Sequence, residues 1–363
     1  MYSRILHLIH TPRHSGAETL VRDLCLRHQE RGISTAIASF APGTSDFTTT
    51  LDKLRRSGTR LFLPMSELKG PQRIRHFNHA IRDFRPETIY AHSVLPALYG
   101  RLALPWFGPT TPFISVLHNA NNDDYAEIRL RLSEIILANR ASRIFAVSDE
   151  GAKSYARRVS FTPPIEVVPN GTDLNKIRSA LTERELWRRR NGLDRGMKLI
   201  LQVGRISRTK RQVETLTSLA PAMRKDESLR LWFAGLPEDA DYAAKLASEI
   251  TRLSLQNCAT ILGGRDDIPA LLAAADLFVM PSLMEAHSIA MIEALASGLP
   301  IVASDIPTFR HLATFPGVML FNHNDPAQYA TSIAQSLTVG GRFDRDVGRF
   351  DIERVAAIYG GYA

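Results

Sequence analysis

The chain has 363 residues, 44% of them hydrophobic and 23% charged, with a net charge of +8; that length buries more than one core and suggests two domains of about 150 to 200 residues each. Only Cys25 and Cys258 are present, which excludes a disulfide framework and a thiolate metal site and suits a reducing compartment. Residues 1–9 lack the apolar core and cleavage site of a signal peptide, and no apolar run approaches the roughly 20 residues of a membrane span, so secretion by that route and membrane insertion are not expected.

The charge is uneven. Residues 1–170 hold 22 Lys and Arg against 15 Asp and Glu, whereas the remainder is nearly balanced. The excess concentrates in LDKLRRSGTR, in PQRIRHFNHAIRDFRP and in residues 153–158. Such stretches attract phosphate, whether of nucleic acid or of anionic lipid. They lack interleaved aromatics and any helix-turn-helix or zinc-finger spacing, so no specific nucleic acid is expected. A solvated helix face and an anionic membrane surface both stay open as readings.

In chain order, short apolar strands alternate with helical periods. SRILHLIH precedes GAETLVRDLCLRHQERG, STAIASF precedes TLDKLRRSG, and RLFLPM precedes RIRHFNHAIRDFRP. TIYAHS is followed by LPALYGRLALPWFG, PFISVLHN by AEIRLRLSEIILANRAS, and RIFAVSD by EGAKSYARRV. This alternation predicts a parallel, doubly wound α/β sheet. The segment FTPPIEVVPNGTDLNKI carries three prolines and an Asn-Gly step, a turn-rich junction that marks a domain boundary. Asn170-Gly171 reads there as a turn.

Beyond a basic, Trp-containing helix around residues 183–190, strands resume with KLILQVGRI, LRLWFAG, ATILGG, DLFVMPS, PIVASD and GVMLFN, separated by helices such as VETLTSLAPAMRK and YAAKLASEITRLSL. The expected domains are therefore residues 1–168 and 169–345, both Rossmann-like, with their carboxyl-end crevices facing across a central cleft. Residues 346–363 form a terminal helix that opens on Asp351 and repeats apolar Ile352, Val355, Ala356 and Tyr359 at helical spacing.

Three sets of residues carry candidate chemistry. In residues 282–306, Glu285 and Glu293 stand eight positions apart, the first in the loop beyond a strand and the second inside a short helix, where open parallel sheets bind ligands. In GRISRTK, Gly204 admits close backbone approach while Arg205 and Lys210 offer charge to phosphates without a metal. In the first domain, Ser15-Gly16-Ala17-Glu18 follows the first strand, His118 lies in VLHN at a strand end and His92 lies in YAHS. GxGxxG after the first strand, GxxxxGK[ST] and HExxH are all missing, which argues against an ordinary dinucleotide oxidoreductase. Asp123-Asp124 reads as loop or acceptor-side acids before a helix, not a metal pair.

Glu285 and Glu293 with the Gly-Leu-Pro break and the strand IVASD resemble the E-x7-E signature of glycosyltransferase family 4, a family of retaining nucleotide-sugar enzymes with the GT-B fold, which implies that the terminal helix of residues 346–363 packs back toward the first domain. GRISRTK is similar to that family's G-R-x4-K arrangement, except that Arg211 stands where Gly is common, and SGAE is similar to its Gly-Gly-Ala-Glu loop. The resemblance implies that Glu285 lies beside the donor sugar, that Glu293 accepts from the ribose hydroxyls, and that Arg205 and Lys210 stabilise the leaving phosphates. It adds Gly16, the main-chain NH groups of His287, Ser288 and Ile289, and the stretch from Gly263 to Arg265 as donor contacts, with His118 at the reacting centre. His287 and Ser288 replace a frequent Phe-Gly, and His287 is expected to position rather than act as a base; His92 is an acceptor-side or structural group.

The expected activity is retaining, metal-independent transfer from a nucleotide-diphosphate sugar to an acceptor hydroxyl, with a UDP-sugar favoured over GDP-mannose and no cofactor. Saccharide or lipid-linked acceptors in polysaccharide or glycolipid biosynthesis follow from the same resemblance, as does a cytoplasmic location, peripheral at the inner membrane face. The competing readings are a GT-B nucleotide-sugar epimerase or hydrolase, and a non-catalytic basic binding protein.

Overall fold

The computed structural model describes residues 1–105, 111–159 and 163–363. The end of the predicted helix LPALYGRLALPWFG, at residues 106–108, and the first two residues of the proline-rich junction lie outside the described residues.

The chain divides into two compact units, Met1–Thr172 with Ala286–Ser288 and Arg349–Ala363, and Asp173–Glu285 with Ile289–Gly348. The sequence placed its boundaries a few residues earlier and did not foresee that a three-residue piece of the 282–306 segment groups with the first unit.

The first unit holds β1 (Arg4–Ile9), β2 (Ser34–Ser39), β3 (Arg60–Phe62), β4 (Thr88–His92), β5 (Phe113–Leu117), β6 (Arg143–Ala146) and β7 (Ile165–Val167), linked by α1 (Gly16–Glu30), α2 (Thr48–Arg56), α3 (Pro71–Phe84), α4 (Val94–Ala103), α5 (Ile128–Leu137) and α6 (Asp149–Arg158). All pairings are parallel, in the order β3-β2-β1-β4-β5-β6-β7. The central strands are continuous apolar runs because helices cover both faces of a parallel sheet: β1 exposes only Arg4, and β4 and β5 are buried throughout.

The second unit opens with α7 (Leu174–Thr182) and α8 (Arg184–Arg190), then alternates β8 (Lys198–Val203), α9 (Gln212–Met223), β9 (Leu229–Ala234), α10 (Ala240–Arg252), β10 (Ala259–Gly263), α11 (Ile268–Ala274), β11 (Leu277–Met280), α12 (Ile289–Ala296), β12 (Ile301–Ser304), β13 (Val318–Phe321) and α13 (Pro326–Val339). Its parallel sheet has the order β10-β9-β8-β11-β12-β13. Helix starts follow local chemistry: the carboxylates of Asp173, Asp239 and Asp325 accept from Lys176 N, Tyr242 N and Gln328 N at 2.9–3.0 Å, satisfying amides that a helix cannot pair internally.

The last helix, α14 (Ile352–Gly360), belongs to the first unit. Asp351 caps it by accepting from Glu353 N at 3.0 Å. Its predicted apolar face is buried, with Val355 and Tyr359 at most 1% exposed. Tyr90 donates from its hydroxyl to Tyr359 O at 2.7 Å, and His28 Nε2 donates to Ala356 O at 2.8 Å. Gly171 packs against this helix so closely that a Cβ there would lie 2.9 Å from Val355 Cγ2 and 3.1 Å from Ile352 Cα. Asn170-Gly171 is thus a packing point as well as a turn.

One buried ion pair lies in the first unit. Arg101 on α4, with no exposed surface, bonds Glu134 on α5 through Nη1 at 2.9 Å and again through Nη2, and Tyr155 donates to the same carboxylate at 2.7 Å. Removing one partner of such a pair leaves an uncompensated charge in the interior. Arg101→Met is expected to lower the unfolding free energy by about 3–5 kcal/mol in urea titration, and Arg101→Met with Glu134→Leu to recover a large part of that loss.

Candidate active site

The second unit's strand order reverses between β8 and β11, and ligands of open α/β sheets bind at the carboxyl ends of the strands on either side of such a reversal. The loop after β8 carries Gly204, Arg205 and Lys210, and the loop after β11 carries Glu285. Lys210 Nζ pairs with Glu285 Oε1, and Ser282 Oγ donates to that same oxygen at 2.8 Å. Their side chains are 19% and 8% exposed. The two loops are tied by Leu283 N donating to Thr209 O at 2.9 Å, and Gln202 Nε2 holds Lys210 O at 2.7 Å.

Gly204, with φ +153, lies under the Lys210 side chain: a Cβ on it would sit 3.7 Å from Lys210 Cδ and Cε. The backbone at Gly204 approaches the end of β9 even more tightly, since a Cβ on Gly235 would overlap the Gly204 carbonyl oxygen and lie 2.6 Å from its carbon. Arg205 leaves this cluster to pair with Glu238, the two side chains being 37% and 40% exposed. Arg265, beyond the end of β10, is gripped by Asp267 through two bonds of 2.8 and 2.6 Å. Exposed pairs of this kind contribute about 0–1 kcal/mol, so both guanidinium groups exchange partners readily.

Glu293 occupies the second turn of α12 and is partly buried, while Ile289 begins that helix. His287 and Ser288 precede it and belong to the first unit. There His287 Nδ1 accepts from Asn170 N at 3.2 Å, His287 O accepts from Asn170 Nδ2 at 2.7 Å, and the ring lies 5.4 Å from that of Phe350. His287 is held in place by the junction that the sequence treated as a simple turn.

In the first unit the order reverses between β1 and β4. Gly16 opens α1 just beyond β1, and a Cβ there would meet nothing within 4 Å. Ser15 donates to Glu18 Oε2, closing the loop's edge. Across β1, β4 and the end of β5 three imidazoles form a chain: His7 Nδ1 lies 3.1 Å from His92 Nε2, and His92 Nδ1 lies 2.9 Å from His118 Nε2. Burial, with a smaller contribution from His28, lowers the pKa of His7 to about 3, and burial lowers that of His118 to about 4. His92 is held well below its ordinary value by burial, then by His118 and His7. All three are neutral at physiological pH.

Sequence reasoning missed His7, Glu238, Asp267 and Ser282. A histidine inside RILHLI carries no signal of its own, and the acid partners become visible only once strand ends are aligned. Asp123 and Asp124 sit in a short 3-10 turn, bonded to Arg158 at 2.9 Å and to Asn119 Nδ2 at 3.1 Å.

Two parallel sheets, each with a reversal point bordered by such loops, define a two-domain α/β protein of the GT-B type. The family model described as Glycosyltransferase Family 4 matches residues 14–176, and that described as Glycosyl transferases group 1 matches residues 183–344. The chain belongs to the family 4 glycosyltransferases. It is 26% identical over 226 residues to the UDP-Gal:alpha-D-GlcNAc-diphosphoundecaprenol alpha-1,3-galactosyltransferase of Escherichia coli, covering 61% of this chain and 58% of that one. It is 30% identical over 210 residues to the GDP-mannose:cellobiosyl-diphosphopolyprenol alpha-mannosyltransferase of Xanthomonas campestris, covering 57% and 52%. These matches span little more than half the length of either relative. The crystal structure of HepE from Anabaena in complex with UDP-glucose superposes with a TM-score of 0.76 at 22% identity, covering all of this chain and 95% of that one.

The contact between the ends of β8 and β9 is testable without a ligand. Gly235→Ala forces backbone apart at Gly204 and is expected to cost about 2–4 kcal/mol in chemical denaturation, whereas Gly16→Ala is expected to change stability by less than about 0.5 kcal/mol.

Proposed function

We propose that this protein transfers a sugar from a nucleotide-diphosphate donor to an acceptor hydroxyl, with retention of anomeric configuration and without a metal. The observation that carries the reading is the Lys210–Glu285 pair over Gly204, at the reversal point of the second unit's sheet. A departing nucleoside diphosphate develops negative charge as the anomeric bond breaks, and fixed cations at that point stabilise the transition state more than the bound donor. Arg205 and Lys210 supply that charge, Arg205 exchanging Glu238 for phosphate. Glu285 steers the sugar, Glu293 accepts from the ribose, and the leaving phosphate takes the acceptor proton on the face it vacates. Arg265, Gly16 and the amides of His287, Ser288 and Ile289 complete the donor contacts.

The relatives are named for different donor bases, UDP-Gal for the E. coli protein and GDP-mannose for the Xanthomonas protein, and so support a nucleotide-sugar donor of either kind. A UDP-sugar is the favoured donor. Both relatives are also named for diphosphate-linked polyprenol acceptors, which supports a lipid-linked acceptor and a place at the inner membrane face.

Stabilisation in a thermal-shift panel of UDP, GDP and ADP tests the reading first: a shift with UDP is expected, and no shift with any of the three rejects it. Lys210→Ala is expected to lower kcat by about 10²–10³-fold with nucleotide affinity changed far less. Glu293→Ala is expected to weaken nucleotide binding by about 10–100-fold, the loss of a charged hydrogen bond. Full turnover of donor without acceptor identifies a hydrolase or epimerase instead.

Helix α5 supports the membrane location. Ile128, Leu132 and Ile136 form a stripe at i, i+4 and i+8 that is 60%, 50% and 77% exposed, beside exposed Arg129 and Arg131. Among the described residues no helix is long and apolar enough to cross a membrane, but such a stripe lies flat in a lipid interface. Replacing the three apolar residues with Gln is expected to weaken sedimentation with phosphatidylglycerol vesicles by at least about tenfold, with the fold intact by circular dichroism.

A further inference from the structure

The chain of three histidines has a direction, and its buried end sets it. His7 is fully buried, and among the described residues its Nε2 meets no hydrogen-bond partner. If the proton sat on that nitrogen, a donor would be enclosed without an acceptor; a bare ring nitrogen there leaves only an acceptor unfilled, which proteins tolerate more readily. The proton of His7 therefore sits on Nδ1 and points at His92 Nε2, 3.1 Å away. A neutral imidazole that accepts at one nitrogen donates from the other, so His92 Nδ1–H donates to His118 Nε2 at 2.9 Å. His118 in turn must carry its own proton on Nδ1. That nitrogen bonds no other described residue, and His118 is only partly buried.

We propose that His7 and His92 are positioning residues that lock His118 as a hydrogen-bond donor through Nδ1–H. An oxygen of the bound donor sugar or of the transferred group is the partner that such a donor recognises, a consequence that rests on the role given above to His118. His118 then orients or stabilises an oxygen and does not accept the proton of the incoming hydroxyl. The low pKa of each ring serves the same end, since a charged member would donate from both nitrogens and erase the direction.

The three rings also lie on neighbouring strands, β1, β4 and the end of β5, with His7 opposite Tyr90 and His92 opposite Val116 in the parallel register. The sheet itself fixes their spacing: the centroids are 5.3 Å apart between His7 and His92 and 5.2 Å apart between His92 and His118. The polarity passes through the two ring-to-ring hydrogen bonds, which the strand register holds at fixed spacing, and it ends at His118 just beyond β5.

Long-range proton–nitrogen NMR spectra of full-length protein labelled with ¹⁵N-histidine read which nitrogen bears the proton, with the His118 signals assigned by their loss in His118→Asn. The expected result is a proton on Nδ1 of His7, His92 and His118, opposite to the Nε2–H form that predominates for a free histidine side chain in water. In His92→Phe, His118 is expected to return to the Nε2–H form, and kcat to fall by roughly tenfold or more with KM for the donor little changed. His92→Asn places an N–H where the ring Nδ1 stood and is expected to restore the His118 tautomer and to recover turnover relative to His92→Phe. A proton on His118 Nε2 in the unaltered protein overturns the proposal, as does a His118 tautomer that His92→Phe leaves unmoved. The expected tautomers together with undiminished turnover by His92→Phe leave the relay standing and reject the placement of His118 at the reacting centre.

Discussion

The reversal of strand order within each sheet is the constraint on which the chemistry rests. In the second unit β9 and β10 extend to one side of β8, whereas β11 lies on its other side and leads away to β12 and β13. Crossovers between parallel strands are right-handed, so the helices leaving β8 and β11 depart to opposite faces and their strand-end loops part. Lys210 and Glu285 stand on those two loops. The first unit repeats the arrangement with β1 and β4, and the histidine chain runs across that reversal. The charge pair and the histidine chain both sit where the sheet opens.

Burial sorts the basic groups near the second unit's strand ends into two kinds. The attraction between Lys210 and Glu285 is strong because both side chains are largely removed from water, where effective dielectric is low and competing solvent is scarce. Lys210 consequently lies fixed, with Ser282 sharing its carboxylate partner. Arg205 and Arg265, on half-exposed pairs with Glu238 and Asp267, present charge that is screened but easily redirected.

Much of the fold was legible because parallel sheets write themselves into sequence as apolar runs separated by helical periods. RILHLI, TIYAH, FISVL, KLILQV and LFVM all became buried strands. The junction was legible as a boundary, which falls between Thr172 and Asp173, but the strand and helix inside it were not. β7 is three residues long, flanked by proline and mostly exposed, so it has neither the length nor the apolar character of its neighbours. α7 is capped by Asp173, an adequate signal hidden behind an Asn-Gly step that reads as a turn. The grouping of Gly204, Lys210 and Glu285 was anticipated from the family resemblance, yet the pairing of Lys210 with Glu285 was not, because a salt bridge between residues 75 positions apart depends on strand order. His7 was invisible for the same reason: its significance lies wholly in the two histidines that neighbouring strands bring beside it.

Arg211 shows how a local rule can be broken at such a site and still be supported. It stands where the family commonly has glycine, and its backbone adopts φ +59, a left-handed conformation that costs an L-residue roughly 1–2 kcal/mol. Glycine would adopt that turn without strain but would supply no side chain. Here Arg211 Nη1 donates to His323 O at 2.5 Å, reaching from the start of α9 to the loop beyond β13, a charge-assisted bond of the same order as the strain. The side chain therefore exchanges conformational ease for a tether between two loops at the carboxyl end of the sheet, on the residue directly after Lys210. Holding that turn rigid fixes the main chain from which Lys210 projects, so the departure from glycine acts on the preset cation rather than against it.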